Sequence, residues 1–155
     1  MIRSYRPTDL ARVKEITAIC FEGVSIDRNI EEAFGVLGGK DWRWRKLRHV
    51  DADTAEANAI GVFVYEEGDL LVGYITCRLD SESKIGWIPN MAVIPESQGQ
   101  GIGKQLMERA FTYLPDGGME VAKIETLDQN PVGQVFYPSM GFEEVARQIH
   151  YAKKL

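Results

Sequence analysis

Cysteine and histidine are scarce: the 155-residue chain has two of each. Cys20 and Cys77 lie far apart with no C-x-x-C, so they read as reduced core thiols of a cytosolic protein. His49 and His150 cannot build a metal site of the usual ligand spacing, and no metal is expected. Positive charge is not in excess either. Lys and Arg number 18 against 23 Asp and Glu, a net of −5, which argues against a general nucleic-acid binder. No apolar run approaches the roughly 20 residues of a membrane span. The opening MIRSYRPTDL lacks the apolar centre of a signal peptide, so no membrane partner and a cytoplasmic location are expected. There are no repeats, low-complexity tracts or linkers, and the length suits one domain, 1–155, large enough to bury a core.

What is present is a cluster of glycines. Residues 95–106 read PESQGQGIGKQL, with Gly99, Gly101 and Gly103 alternating before Lys104. Such a run is either a flexible loop or an anion site. In an anion site, the unpartnered N–H groups at a helix start meet a phosphate at the positive end of the helix dipole. The flanks favour the anion site. WIPNMAVI (87–94) is apolar and ends at Pro95, as a buried strand would. Ile102, Leu106, Met107, Ala110, Phe111 and Leu114 then follow helical spacing. The P-loop pattern fails because Gln occupies positions 98 and 105, and no register of the glycines fits the dinucleotide fingerprint. A nucleotide-phosphate binder is therefore disfavoured.

The remaining pattern predicts a mixed α/β chain. A strand Ile2–Tyr5 precedes a helix from Pro7-Thr8-Asp9 whose apolar positions are Leu10, Val13, Ile16, Ile19 and Cys20. The stretch 22–28 reads as loop, 29–37 as a helix stopped by Gly38-Gly39, and 41–50 as a third helix. Strands follow at 60–66, 70–79 and 84–94, with turns at Gly68-Asp69 and 80–83. After the helix 102–114 come a loop at 115–118 and a strand at 121–127. A helix then runs from the Asn130 cap and Pro131 to about Tyr137, and a last strand spans 143–152. Pro89 within a strand marks either a bulge or an edge.

Gln98-Gly99-Gln100-Gly101-Ile102-Gly103 matches Gln/Arg-x-x-Gly-x-Gly/Ala, and Val93-x-Pro95 precedes it. A second run, Glu125, Asn130, Gly133, Tyr137, Gly141 and Phe142, stands at matching spacing downstream, with Gly133 in place of the usual alanine and Pro138 as a further departure. On these two motifs the chain resembles the GNAT superfamily of N-acetyltransferases, specifically over 61–142 and by element order before that. The resemblance implies a central twisted mixed sheet flanked by helices. It also implies acetyl-CoA as co-substrate and an amine of a small molecule or protein as acceptor. The strand before the loop would be bulged and splayed from the next, with the pantetheine arm in the resulting V.

The resemblance assigns roles residue by residue. The backbone of Gly99, Gln100, Gly101, Ile102, Gly103 and Lys104, behind Gln98, would hold the pyrophosphate. Met91, Ala92 and Val93 would lie along the pantetheine, and Asn130 would bond its amide. A backbone N–H of the same strand would polarise the thioester carbonyl.

Two side chains are candidates for the chemistry. Tyr137 would give its proton to the CoA thiolate; a phenol near 10 and a thiol near 8.5 make that reasonable, and the alternative is a core tyrosine. Glu125, expected to be buried mid-strand, would be the base with its pKa raised by desolvation; the alternative is a salt bridge to Lys123 or Arg78. The basic segment KDWRWRKLRH (40–49) is either a docked helix, with Trp44, Leu47 and Val50 inward and Trp42, Arg45, Arg48 and His49 elsewhere, or a lid over the acceptor. A non-catalytic acyl-CoA-binding or regulatory domain is the rival from another class. It would need neither Tyr137 nor Glu125. A second copy of the chain is a further candidate partner.

Overall fold

Strand β1 (Ile2–Ser4) pairs antiparallel with β2 (Val62–Glu67), β2 with β3 (Leu70–Thr76), and β3 with β5 (Met91–Val93), giving a four-stranded sheet in the order β1-β2-β3-β5. These relations come from a computed structural model that describes residues 1–155. A second, two-stranded parallel sheet joins β4 (Ile85–Trp87) to β6 (Val121–Lys123). The helices are α1 (Leu10–Cys20), α2 (Ile26–Phe34), α3 (Trp42–Thr54), α4 (Ile102–Asp116) and α5 (Pro131–Ser139).

Successive strand residues face opposite ways, and the core follows that rule on β3. Gly73 lies under Leu106 of α4, where an added Cβ would come within 3.3 Å of the Leu106 side chain. Its neighbour Tyr74 points to the other face and meets Thr17 Oγ1 of α1 at 2.7 Å. Helices therefore cover both faces, and Val62, Phe63 and Val64 of β2 are buried in succession. The expected spacing of α4 holds: Ile102, Leu106, Met107, Ala110 and Leu114 are all buried.

Pro89 marks a change of partner. Ile88 N–H donates to Lys123 O at 2.9 Å, while Asn90 O accepts from Thr76 N–H at 2.9 Å. Pro89, which has no N–H to give, stands between. The single strand expected over 84–94 is thus two strands on two sheets. Past Lys123 the chain of β6 leaves the ladder, and a gap opens between it and β5.

Several boundaries differ from expectation. α2 begins at Ile26, after extended Ser25, and ends at Gly35 (φ 78°), so 26–28 are helical and the stop comes before Gly38. α3 continues to Thr54, past the expected end at residue 50, and Asp53 on its inner face is met by Arg78. α4 carries Pro115, and α5 carries Pro138, each within its last turn, where the proline forgoes one bond to the carbonyl four residues earlier and the helix has little further to run. The strand at 121–127 stops at Lys123. The strand expected at 143–152 does not form: these residues are exposed and take part in no backbone hydrogen bond.

Candidate functional site

The gap beside β5 is lined by unpaired backbone. Ile94 N–H donates to Val72 O and Thr76 N–H to Asn90 O, both at 2.9 Å, so the even-numbered residues face β3. In an antiparallel ladder the alternate residues then face away. Met91 and Val93 turn their N–H groups to the gap, and Ala92, expected beside them, turns its own to β3. Val93 O is taken by Gln98 Nε2 at 2.9 Å and by the Cys20 thiol at 3.3 Å. Gln98 thus ties the glycine loop to the strand with its side chain.

At the end of the gap stands the start of α4. Gln98 N–H donates to Pro95 O, and the first helical bond is Gln105 N–H to Gly101 O at 3.1 Å. From Gly99 to Lys104 the N–H groups have no backbone acceptor. Gly99 and Gly101 hold φ of 76° and 80°, conformations that favour glycine, with open space around both. Gly103 differs: its φ is ordinary, and a Cβ there would sit 3.6 Å from the Phe136 ring. Ile102 sends its side chain into the core. Gln100 lies outside, and Lys104 reaches only Glu108, at 3.8 Å. The arrangement is a row of free donors at the positive end of a 15-residue helix.

Asn130 caps α5, accepting from Gly133 N–H at 3.2 Å while its Nδ2 donates to Thr126 Oγ1 at 2.9 Å. Gly133 allows this closeness. A Cβ there would fall 2.8 Å from Asn130 Nδ2, 2.9 Å from Thr126 Oγ1 and 3.0 Å from the Tyr137 ring. Tyr137 packs edge-on against Phe136 and Phe142, at 5.6 and 6.0 Å between centroids. Burial pushes its phenol up to about 12. A phenol so raised is a weaker proton donor to a thiolate than one at the ordinary value.

Glu125 is not buried. Its side chain is 56% exposed, accepts from Trp87 Nε1 at 2.7 Å, and pairs with Lys123 Nζ at 3.0 Å. The desolvation expected of it is absent because β6 ends two residues earlier. The ion pair with Lys123 is formed; Arg78 pairs elsewhere.

In α3 the inward face is Trp42, Lys46, Val50 and Asp53, and Trp44 is 45% exposed. The two tryptophans are therefore exchanged relative to expectation, while Val50 is buried and Leu47 packs against the core as expected. A polar chain missed in the sequence runs from this face. Lys46 Nζ donates to Asn90 Oδ1 at 2.8 Å and lies 4.0 Å from the centre of the Phe21 ring. Asn90 Nδ2 donates to Asp53 Oδ2 at 2.6 Å, and Asp53 also accepts from Arg78. Burial pulls the Lys46 ammonium below its ordinary value, against Asp27 and Asp53, which raise it. The one sequence signal was period: Lys46 and Asp53 fall at i+4 and i+11 from Trp42, on its face. Arg45 lies near Asp27 and Glu31, at 3.7 and 3.9 Å, so the segment's basic charge is partly answered within the chain. Burial also pushes the thiols of Cys20 and Cys77 up to about 11 and about 12, as befits unreactive core groups.

Comparison with known proteins places this geometry. A solved structure from Pyrococcus horikoshii aligns with a TM-score of 0.75 at 22% identity, over 96% of this chain and 91% of that one. A GNAT family acetyltransferase from Brucella melitensis, solved in complex with acetyl-CoA, aligns with a TM-score of 0.67 at 23% identity, over 93% and 82%. An uncharacterized N-acetyltransferase of Archaeoglobus fulgidus is 33% identical over 84 residues, which are 51% of this chain and 57% of that relative's length. No helix is long and apolar enough to cross a membrane. The family model described as an acetyltransferase (GNAT) domain matches residues 58–144, from the start of the central strands through α5, and the chain belongs to that family.

Proposed function

We propose that the chain is an acetyl-CoA-dependent N-acetyltransferase. The observation that carries this is the continuity of free backbone N–H groups from Met91 and Val93 to the 99–104 turn. The first pair suits a pantetheine amide and a thioester carbonyl, the second a pyrophosphate. Strand β5 and the start of α4 hold the two ends of this path, which suits the holding of two reactants in line.

In the reaction the acceptor nitrogen attacks the thioester carbon, the N–C bond forms and the C–S bond breaks. The Met91 N–H points to where the carbonyl oxygen gains charge. Tyr137, neutral at working pH, donates a hydrogen bond to the departing sulfur, which takes its proton from water. Glu125, exposed on the β6 side, passes the amine's proton outward through water. Asn130 keeps one N–H and one lone pair free for the pantetheine. Lys46 and Asn90 stand at the acceptor end of β5, so the acceptor is selected by α3. The acceptor is a primary amine, carried by a small molecule or by a peptide.

The test is free CoA release across a panel of small amines and peptide N-termini, together with thermal shift. Acetyl-CoA at about 100 times its dissociation constant should add roughly 2.7 kcal/mol of stability. Stabilisation by ATP and not by acetyl-CoA would overturn the reading. Binding without CoA release on any amine would return the chain to a non-catalytic acyl-CoA-binding domain.

A further inference from the structure

The polar side chains at the acceptor end of the gap stand on one face of the sheet. Tyr74 points to α1 through Thr17. Thr76 and Arg78 follow it at alternate positions and share that face. Asn90 lies opposite Thr76, and Trp87 lies opposite both Arg78 and Lys123. Glu125 stands two residues past Lys123 and accepts from the Trp87 indole. α3 adds Lys46 to this face, with its ammonium over the Phe21 ring at the end of α1.

The carboxylates here already have cations. Asp53 accepts from Arg78 as well as from Asn90 Nδ2, and Glu125 pairs with Lys123. Asp27 turns to Arg45 and His49, at 3.7 and 3.9 Å. Lys46 is different. It gives one N–H to the neutral Asn90 Oδ1 and forms no ion pair, so two of its three donors are free. Its side chain is only partly buried, so a ligand can reach them. An anion at those donors would relieve the burial that depresses the ammonium.

The same face is bridged from above. Cys20 meets Val93 O, so the segment after α1 starts on the β5 side. Gln129, past β6, holds that segment from the other side of the gap. It donates to Gly23 O at 2.9 Å and to Asn29 Oδ1 at 3.0 Å, and accepts from Asn29 Nδ2 at 2.8 Å. Three bonds thus cross the gap on the α1 side. They favour a small molecule over a peptide chain laid across the face.

We propose that the acceptor is a small amine bearing a carboxylate a few bonds away, as a free amino acid does, and that Lys46 receives the carboxylate. This rests on the acetyl-transfer reading above and deepens it. Asn90 directly precedes Met91, so an anion held at Lys46 sets the amine beside the thioester. The bonds made and broken are those already given, and the carboxylate is an unreacting handle.

Free CoA release should be measured on a set of free amino acids and on their carboxamides, which keep the amine and remove the charge. The native chain should favour acid over amide by about tenfold or more in kcat/KM, the value of one charged hydrogen bond. Lys46→Met should raise the KM of the acids about tenfold, with a smaller change in kcat, and bring the acid-to-amide ratio near one. Native turnover of the amides that equals or exceeds that of the acids overturns the proposal, as does turnover of peptide N-termini alone. An acid preference that survives Lys46→Met in a folded chain overturns the role of Lys46. Stabilisation by acetyl-CoA with no amino acid acetylated overturns this proposal and leaves the acetyl-CoA site standing. No stabilisation by acetyl-CoA overturns the acetyltransferase reading itself.

Discussion

Lys46 Nζ donates to Asn90 Oδ1 at 2.8 Å, one residue before β5 begins. Through Asn90 the contact reaches Asp53, only 2% exposed, and through Asp53 it reaches Arg78. The Arg78 guanidinium lies 5.5 Å from the Trp87 ring, and the Trp87 indole holds Glu125. One polar chain thus links α3 to both sides of the gap.

The Asp53 charge is tolerated because several donors converge on it. Removing one partner of such a buried pair leaves the other uncompensated, which costs about 3–5 kcal/mol. Arg78→Leu should show a loss of that order in urea unfolding. Asp53→Leu combined with Arg78→Leu should lose less than Arg78→Leu alone. Equal losses would mean that the two side chains do not depend on each other.

Lys46→Met keeps the stem that packs on Phe21 and removes the ammonium. Burial disfavours that charge, but the buried Asn90 Oδ1 loses its donor, so a net loss of about 1–3 kcal/mol is expected in urea unfolding. If Lys46 and Asn90 face the acceptor, its KM should rise about tenfold, the value of one charged hydrogen bond, with acetyl-CoA affinity unchanged. An unaltered acceptor KM would leave Lys46 a purely structural group.

The central sheet, α4 and the glycine loop were legible because their signals are local. Ile102, Leu106 and Ala110 repeat at helical period, and Gly99 and Gly101 occupy turns that favour glycine. Lys46 and Asp53 were not legible. A polar residue on a buried face is satisfied by partners distant in sequence, and Asn90 is 44 residues from Lys46. Glu125 misled for the converse reason: apolar neighbours suggest burial, but the strand leaves the ladder before reaching it. The 143–152 segment has a strand's alternation, but alternation says nothing about whether a partner strand stands beside it.

Tyr137 is neutral across the working range because burial pushes it up to about 12. Tyr137→Phe should therefore lower kcat by roughly 10²-fold, the usual loss of one donor to a developing charge. It should leave every pKa of the pH–rate profile in place. Disappearance of an alkaline limb in the variant would show instead that the phenol itself titrates during turnover.

Alanine in place of glycine within a helix ordinarily adds about 1 kcal/mol. Gly133→Ala should do the opposite. The new Cβ would meet Asn130 Nδ2 at 2.8 Å and Thr126 Oγ1 at 2.9 Å, displacing the cap of α5. A net loss of about 1–3 kcal/mol is expected for such overpacking. A raised melting temperature would mean that Asn130 and Thr126 move apart freely.

Arg3 sets the acid behaviour of the first strand. Its guanidinium grips Asp9 at 2.7 and 2.9 Å and reaches Glu66 at 2.7 Å. The Arg3 hydrogen bonds hold the Asp9 carboxyl below its ordinary value, against burial and with help from the Arg6 N–H. Glu66 is lowered by the same guanidinium. A carboxyl lowered in the folded state is ionised there while its unfolded counterpart has begun to take up a proton. Its contribution is therefore complete above the unfolded value, near 3.8 for Asp9, and declines as pH falls through the folded value. Urea unfolding should be flat from pH 7 to about 5 on account of these two groups and should weaken steadily below about 4. Arg3→Leu should lower stability at pH 7 and remove most of the acid slope assigned to Asp9 and Glu66. An acid slope unchanged in Arg3→Leu would place the acid sensitivity on other carboxylates.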